Sequence, residues 1–198
     1  MTRVVAGALG GRRLRVPRGD TVRPTSDRVR EALFSTLGGR VAGATVLDLF
    51  AGTGALGIEA LSRGAAHATF VERDRAVARV VRTNLEALGL VADVRVMAAD
   101  RFVWELAGSP DAPVFDLVLC DPPYRVGAAD VVSLLLALVD GGHLAAGATI
   151  VVERPRHADP LVPPTGALDV TDVRTYGDTV LYYVESGSDG EQEGGRDA

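Results

Sequence analysis

The sequence predicts an α/β fold built on a mostly parallel, seven-stranded sheet. Three observations carry this. Short apolar runs alternate with helical patterns from residue 44 onward; a glycine-rich loop joins the first run to the first helical pattern; and two β-rich runs close the ordered part with a turn between them. The chain has 198 residues, 47% of them apolar and 24% charged, which suits a core-forming domain and excludes a fully disordered or fibrous chain.

From the N-terminus, Val4-Val5-Ala6, then Gly7, Gly10 and Gly11, then Leu14-Arg15-Val16, suggest a short β-hairpin carrying Arg12, Arg13 and Arg15. Thr25, Ser26 and Asp27 are three possible caps for a helix with Val29, Leu33, Phe34 and Leu37 on one face, and Gly38-Gly39 ends it. The runs Thr45–Phe50, Ala68–Val71, Val94–Met97, Phe115–Cys120 and Ala148–Val152 read as buried strands. Between the second and third, Val77, Val80, Val81, Leu85 and Leu88 form a clear apolar helix face. Short connections between strands and helices imply a parallel sheet covered on both faces. The runs Ala167–Thr175 and Thr179–Val184 flank Tyr176-Gly177-Asp178, a terminal hairpin by its turn chemistry. The polar, glycine-rich residues 186–198 are expected to be a disordered acidic tail. The expected organisation is 1–40 as a basic hairpin and helix, 41–185 as the catalytic domain, and 186–198 as the tail.

Charge is unevenly spread. Residues 1–40 hold nine arginines against three acids, a net of +6, so the rest carries −11 of the overall −5. A basic arm on an acidic body suits a polyanion. All 21 basic residues are arginine, which reads as codon bias. The chain shows no bilayer-length apolar run and no secretory h-region, so a cytoplasmic protein without a membrane partner is expected, as a monomer. With one cysteine, Cys120, a disulfide within the chain is impossible and a Cys-based metal site is not expected. Cys120 reads as a small buried residue, Trp104 as core, and His67, His143 and His157 as neither catalytic nor metal-binding.

Two segments carry chemistry. Gly52, Gly54 and Gly57 satisfy G-x-G-x-x-G between a strand and a helix, with Glu72 twenty residues after Gly52 at the end of the next strand. This suits any adenosine cofactor, with glycines admitting the ligand and the acid accepting from ribose hydroxyls. Asp48 discriminates: a carboxylate there repels a pyrophosphate but favours the sulfonium and ammonium of S-adenosylmethionine. Asp100, after the third strand, can accept from an adenine amine, cap the next helix, or do both. The second segment is Asp121-Pro122-Pro123-Tyr124. The prolines could simply end the strand. Alternatively, the Asp121 carboxylate and the Pro122 carbonyl converge as two acceptors for a planar exocyclic amine, while Tyr124 stacks on its ring.

The terminal hairpin resembles that of the Rossmann-like class I methyltransferase sheet. Asp121–Tyr124 matches the amino-methyltransferase motif and Asp48–Gly57 the cofactor loop. With Arg3–Gly7, Gly11–Leu14 and Arg23–Phe34 added, the chain resembles the RsmD family over residues 3 to about 184. That resemblance implies S-adenosylmethionine-dependent methylation of a guanine N2 amine in small-subunit ribosomal RNA, free or in a partly assembled subunit. It implies that Asp48, Gly52, Gly54, Glu72, Arg73, Asp100 and Arg101 contact the cofactor, with Thr25 and Arg28 approaching it from the N-terminal helix. It further implies that Asp121 to Tyr124 hold the guanine, that the arginine-bearing hairpin grips RNA phosphates, and that no metal is used. The alternatives are a DNA adenine amino-methyltransferase, a nicotinamide-dependent oxidoreductase and a non-catalytic RNA-binding assembly factor.

Overall fold

The structure is a computed structural model that describes residues 2–17, 26–109 and 112–187. Its centre is one seven-stranded sheet in the order β3-β2-β1-β4-β5-β7-β6. Strands β1 (Thr45–Asp48), β2 (His67–Val71), β3 (Asp93–Arg95), β4 (Phe115–Cys120) and β5 (Leu144–Pro155) pair in parallel. Strand β7 (Thr179–Ser186) inserts between β5 and β6 (Leu168–Tyr176) and runs antiparallel to both.

Helices α1 (Asp27–Leu37), α2 (Ala55–Ser62), α3 (Arg75–Leu88), α4 (Ala99–Ala107) and α5 (Ala128–Asp140) cover the sheet. One face is packed by α1, α2 and α3 through Leu33, Phe34, Ile58 and Val81. The other is packed by α4 and α5 through Phe102, Leu106, Leu135 and Leu138. Two buried faces explain why β1 and β4 read as mostly apolar runs, with the exposed Asp116 the exception near the start of β4. The order reverses between β1 and β4, so a crevice opens at the carboxyl ends of the strands, where the predicted loops gather.

Several boundaries differ from the sequence expectations. Strand β1 ends at Asp48, although the N–H groups of Leu49 and Ala51 still donate to Leu119 of β4 and Val71 of β2 as the loop begins. The third strand is Asp93–Arg95, an edge strand whose exposed positions weaken the apolar signal. Tyr176 belongs to β6, leaving Gly177 (φ 61°) and Asp178 as the turn. Ser186, expected in the tail, ends β7: it is buried and its hydroxyl donates to the Ala145 carbonyl at 3.1 Å. Residues 188–198 lie outside the described residues.

The expected N-terminal hairpin is corrected. Residues 2–14 form no pair of strands; a single antiparallel bridge joins Arg3 to Arg13. Backbone bonds from Val4 to Arg12 and Leu14 to Thr2 close the loop. The N–H groups that would extend a ladder are taken by helix side chains instead: Val5 and Ala6 donate to Glu59, and Leu9 donates to Ser62. Val4 and Leu14 join the core cluster of Leu33, Phe34 and Val46, so this arm shares a core with the sheet.

Candidate active site

The glycine loop is fixed from below. Gly52 (φ 53°) and Gly54 (φ 79°) adopt left-handed backbone that side chains resist. Gly57 is required for another reason: a Cβ there would lie 2.4 Å from Phe70 Cε1, so only glycine lets α2 sit this close to β2. Glu72 accepts from Gly52 N–H at 3.0 Å and from Asp74 N–H at 2.8 Å, tying the loop to the end of β2. Each carboxylate oxygen retains a lone pair for a further donor. Asp74 then caps α3, accepting from Ala76 and Val77.

Asp48 lies beneath this loop. It is buried, and Oδ2 accepts from Gly57 N–H at 2.9 Å near the N-terminus of α2. Its Oδ1 is buried with no hydrogen-bond partner. Burial pushes the carboxyl up to about 7; the Gly57 bond opposes that and the Glu72 charge adds to it.

The second loop leaves β4 with Pro122 buried and Tyr124 65% exposed. Val126 N–H closes a turn onto the Pro123 carbonyl at 2.8 Å. From β5, the buried Arg154 donates to the Val126 carbonyl at 2.7 Å and so holds the far end of the loop. The sequence reading missed Arg154; a charged residue ending a buried strand was the available signal. Cys120 is buried and its thiol is pushed up by burial and by the charges of Asp121 and Asp48, so it is no nucleophile.

Both loops line one cavity of about 1200 Å³. Gly52, Glu72, Arg73, Asp100 and the whole of Asp121–Tyr124 border it. Asp48 and Gly54 do not line it, because the loop covers them. Arg101 also lies outside the lining and turns to Glu105 at 2.9 Å. Arg28 is exposed and outside it too, whereas its neighbours Ser26 and Val29 line it. Thr25 is outside the described residues. Asp100 is not the N-cap of α4, which is Ala98; it sits in the first turn, where its Oδ1 accepts from the Arg101 N–H at 2.8 Å and its other oxygen is left for a further donor. Trp104, expected in the core, borders the cavity instead. Arg12, Arg13 and Arg15 are exposed on the N-terminal arm, with Arg12 also donating to the Ala87 carbonyl at 3.1 Å. Among the described residues, no three His, Cys, Asp or Glu side chains gather to hold a metal ion, and no helix is long and apolar enough to cross a membrane.

The strand order, the antiparallel β7 and the two loops at the β1 and β4 ends define a class I methyltransferase fold. A solved structure of yhhF from Escherichia coli superposes with a TM-score of 0.80 at 34% identity, covering 94% of this chain and 98% of that one. The chain belongs to the family described as conserved hypothetical protein 95, whose sequence model matches residues 2–185. Its relatives include ribosomal RNA small subunit methyltransferase D of Escherichia coli K12, 41% identical over 84% of this chain and 81% of that protein. The enzyme of the same name from Haemophilus influenzae is 36% identical over 82% of each.

Proposed function

We propose that this chain transfers a methyl group from S-adenosylmethionine to the exocyclic N2 amine of a guanine in small-subunit ribosomal RNA, in the cytoplasm. One observation carries the proposal: an acid-anchored glycine loop and the Asp121–Tyr124 loop border a single cavity, in a chain whose relatives bear that enzyme's name.

The residues suit such a cofactor. A buried carboxyl oxygen without a hydrogen-bond partner, Asp48 Oδ1, lies under the loop as an unused acceptor, and Glu72 keeps acceptor capacity at the end of β2. Asp100 and Met97 border the cavity beyond β3, an acceptor and a soft apolar surface for a purine. S-adenosylmethionine, when bound, supplies an electrophilic methyl on a sulfonium.

The chain's part is to orient and stabilise. The guanine amine is conjugated with its ring and is a weak nucleophile. Asp121 accepts from the N2 amine, which turns the nitrogen lone pair toward the methyl donor and stabilises positive charge developing on nitrogen. Tyr124 stacks on the base, and Arg154 keeps the loop's far end in place through Val126. Transfer would form the N–C bond as the methyl–sulfur bond breaks, with S-adenosylhomocysteine as the leaving group, and the ammonium-like amine held by Asp121 would then release its proton to water. A guanine N2 in a helix lies in the shallow groove, so the base leaves its stack to reach the cavity. Arg12, Arg13 and Arg15 bind phosphate and fix register.

Asp121→Ala is expected to lower methyl transfer by about 10²- to 10³-fold, as when one oxyanion-type stabiliser is removed, while RNA binding persists. Tritiated methyl transfer onto small subunits lacking the modification, followed by nucleoside mapping, reads this out. Label on another nucleoside, or unchanged transfer by the variant, would refute the assignment.

A further inference from the structure

Helix α4 buries Ala99, Phe102, Val103 and Leu106, which completes its core-facing stripe without Trp104. Trp104 is the only tryptophan of the chain and is 76% exposed. An indole in water is informative when it borders a cavity, and this one borders the cavity of the glycine loop. Asp100 and Trp104 are spaced i, i+4, so they share one helix face. Helical side chains lean toward the N-terminus, which carries the indole back over the turn that bears Asp100. Helix α5, which packs beside α4, also borders the cavity through Ser133, Leu134 and Ala137. On α4 itself, Arg101 does not compete for the indole, since it pairs with Glu105 at 2.9 Å.

We infer that Trp104 is a binding residue for the purine of the cofactor, its indole stacking on a 6-aminopurine whose amine faces Asp100. The inference rests on the cofactor reading above. A purine fits better than a flexible chain because the ring presents a broad flat surface and an acceptor lies one helical turn away. The adenine is favoured over an RNA base because Trp104 lies on the same stretch of wall as Asp100 and Val103, while Tyr124 already supplies an aromatic face at the β4 loop.

A single tryptophan makes the test direct. S-adenosylhomocysteine and adenosine should each quench or shift its emission saturably, at the dissociation constant that calorimetry gives. Methionine, which lacks the purine, should not. Trp104→Ala should weaken S-adenosylhomocysteine about tenfold, within the range for one base–aromatic stack, and Trp104→Phe should restore most of it. Circular dichroism and Tm should match wild type, because the residue is outside the core. Binding by calorimetry with silent emission and an unchanged Trp104→Ala affinity would overturn the inference and leave the cofactor reading intact. Emission that answers only to RNA would reassign the indole to the substrate and also overturn it. Failure of wild type to bind S-adenosylhomocysteine at all would remove both.

Discussion

Asp48 sits in an environment at odds with its chemistry. Its carboxyl is out of water, and one oxygen has no partner. With its pKa raised from 3.8 to about 7, the folded protein holds a proton that the unfolded chain releases between those values. Unfolding therefore becomes easier as pH rises from about 4 to 7 and levels off above that. Asp48→Asn removes this dependence while its side-chain oxygen can still accept from Gly57. Thermal unfolding at pH 5, 6, 7 and 8 should show wild type losing stability relative to Asp48→Asn across that range. A constant difference between the two would mean that Asp48 does not titrate there.

Residue types were legible at this scale, but their surroundings were not. The Asp48, Glu72, Asp100 and Asp121 spacings follow from strand ends, which the apolar runs mark. That the loop covers Asp48 while Glu72 is spent partly on Gly52 and Asp74 depends on backbone turns that no spacing reveals. Trp104 was misplaced because hydrophobicity was weighed without the helix period: the buried stripe 99, 102, 103 and 106 omits position 104.

At the scale of elements, the N-terminal arm is held by side chains distant in sequence. Glu59 is buried and accepts from Val5 N–H at 2.6 Å, Ala6 N–H at 2.9 Å and Arg63 Nε at 2.7 Å. Asn84 of α3 accepts from Arg15 N–H at 2.8 Å and donates to the Arg15 and Thr53 carbonyls, joining the arm to the glycine loop. Gly7 (φ 81°) passes so close to α2 that a Cβ would fall 2.0 Å from the Ser62 carbonyl oxygen. The parallel strands could be read locally, since burial on two faces leaves an apolar signature. The arm could not, because the groups that hold it lie 24 to 75 residues away, and its valines and glycines imitate a hairpin. Glu59→Ala should destabilise the protein by about 2–3 kcal/mol, since it strands two backbone donors and an arginine. Gly7→Ala should likewise free the arm. Limited trypsin digestion should then cut faster after Arg12, Arg13 and Arg15 in both variants. Wild-type cleavage rates would show that the arm is anchored elsewhere.

Across the whole molecule, the proposed RNA contact rests on charge placement rather than net charge. A chain of net charge −5 repels RNA at long range, yet its first 40 residues carry +6. Arg12, Arg13 and Arg15 are exposed on an arm that shares its core with the catalytic sheet, so their charge is presented in a fixed relation to the fold. A guanidinium that pairs with phosphate releases condensed counterions, and each contact adds roughly 0.7 to 0.9 to the slope of log affinity against log salt. The triple replacement of Arg12, Arg13 and Arg15 by Gln should therefore weaken RNA binding at low salt and flatten that slope by roughly two to three. Arg12 keeps its charge while donating to Ala87, so under the proposed function it is expected to contribute to the slope with the other two. Affinity for S-adenosylhomocysteine should not change, because none of the three borders the cavity. A salt titration of RNA binding by wild type and variant decides the matter: parallel lines would show that the phosphates are gripped elsewhere, and the charge asymmetry would then be a property of the surface without a part in substrate binding.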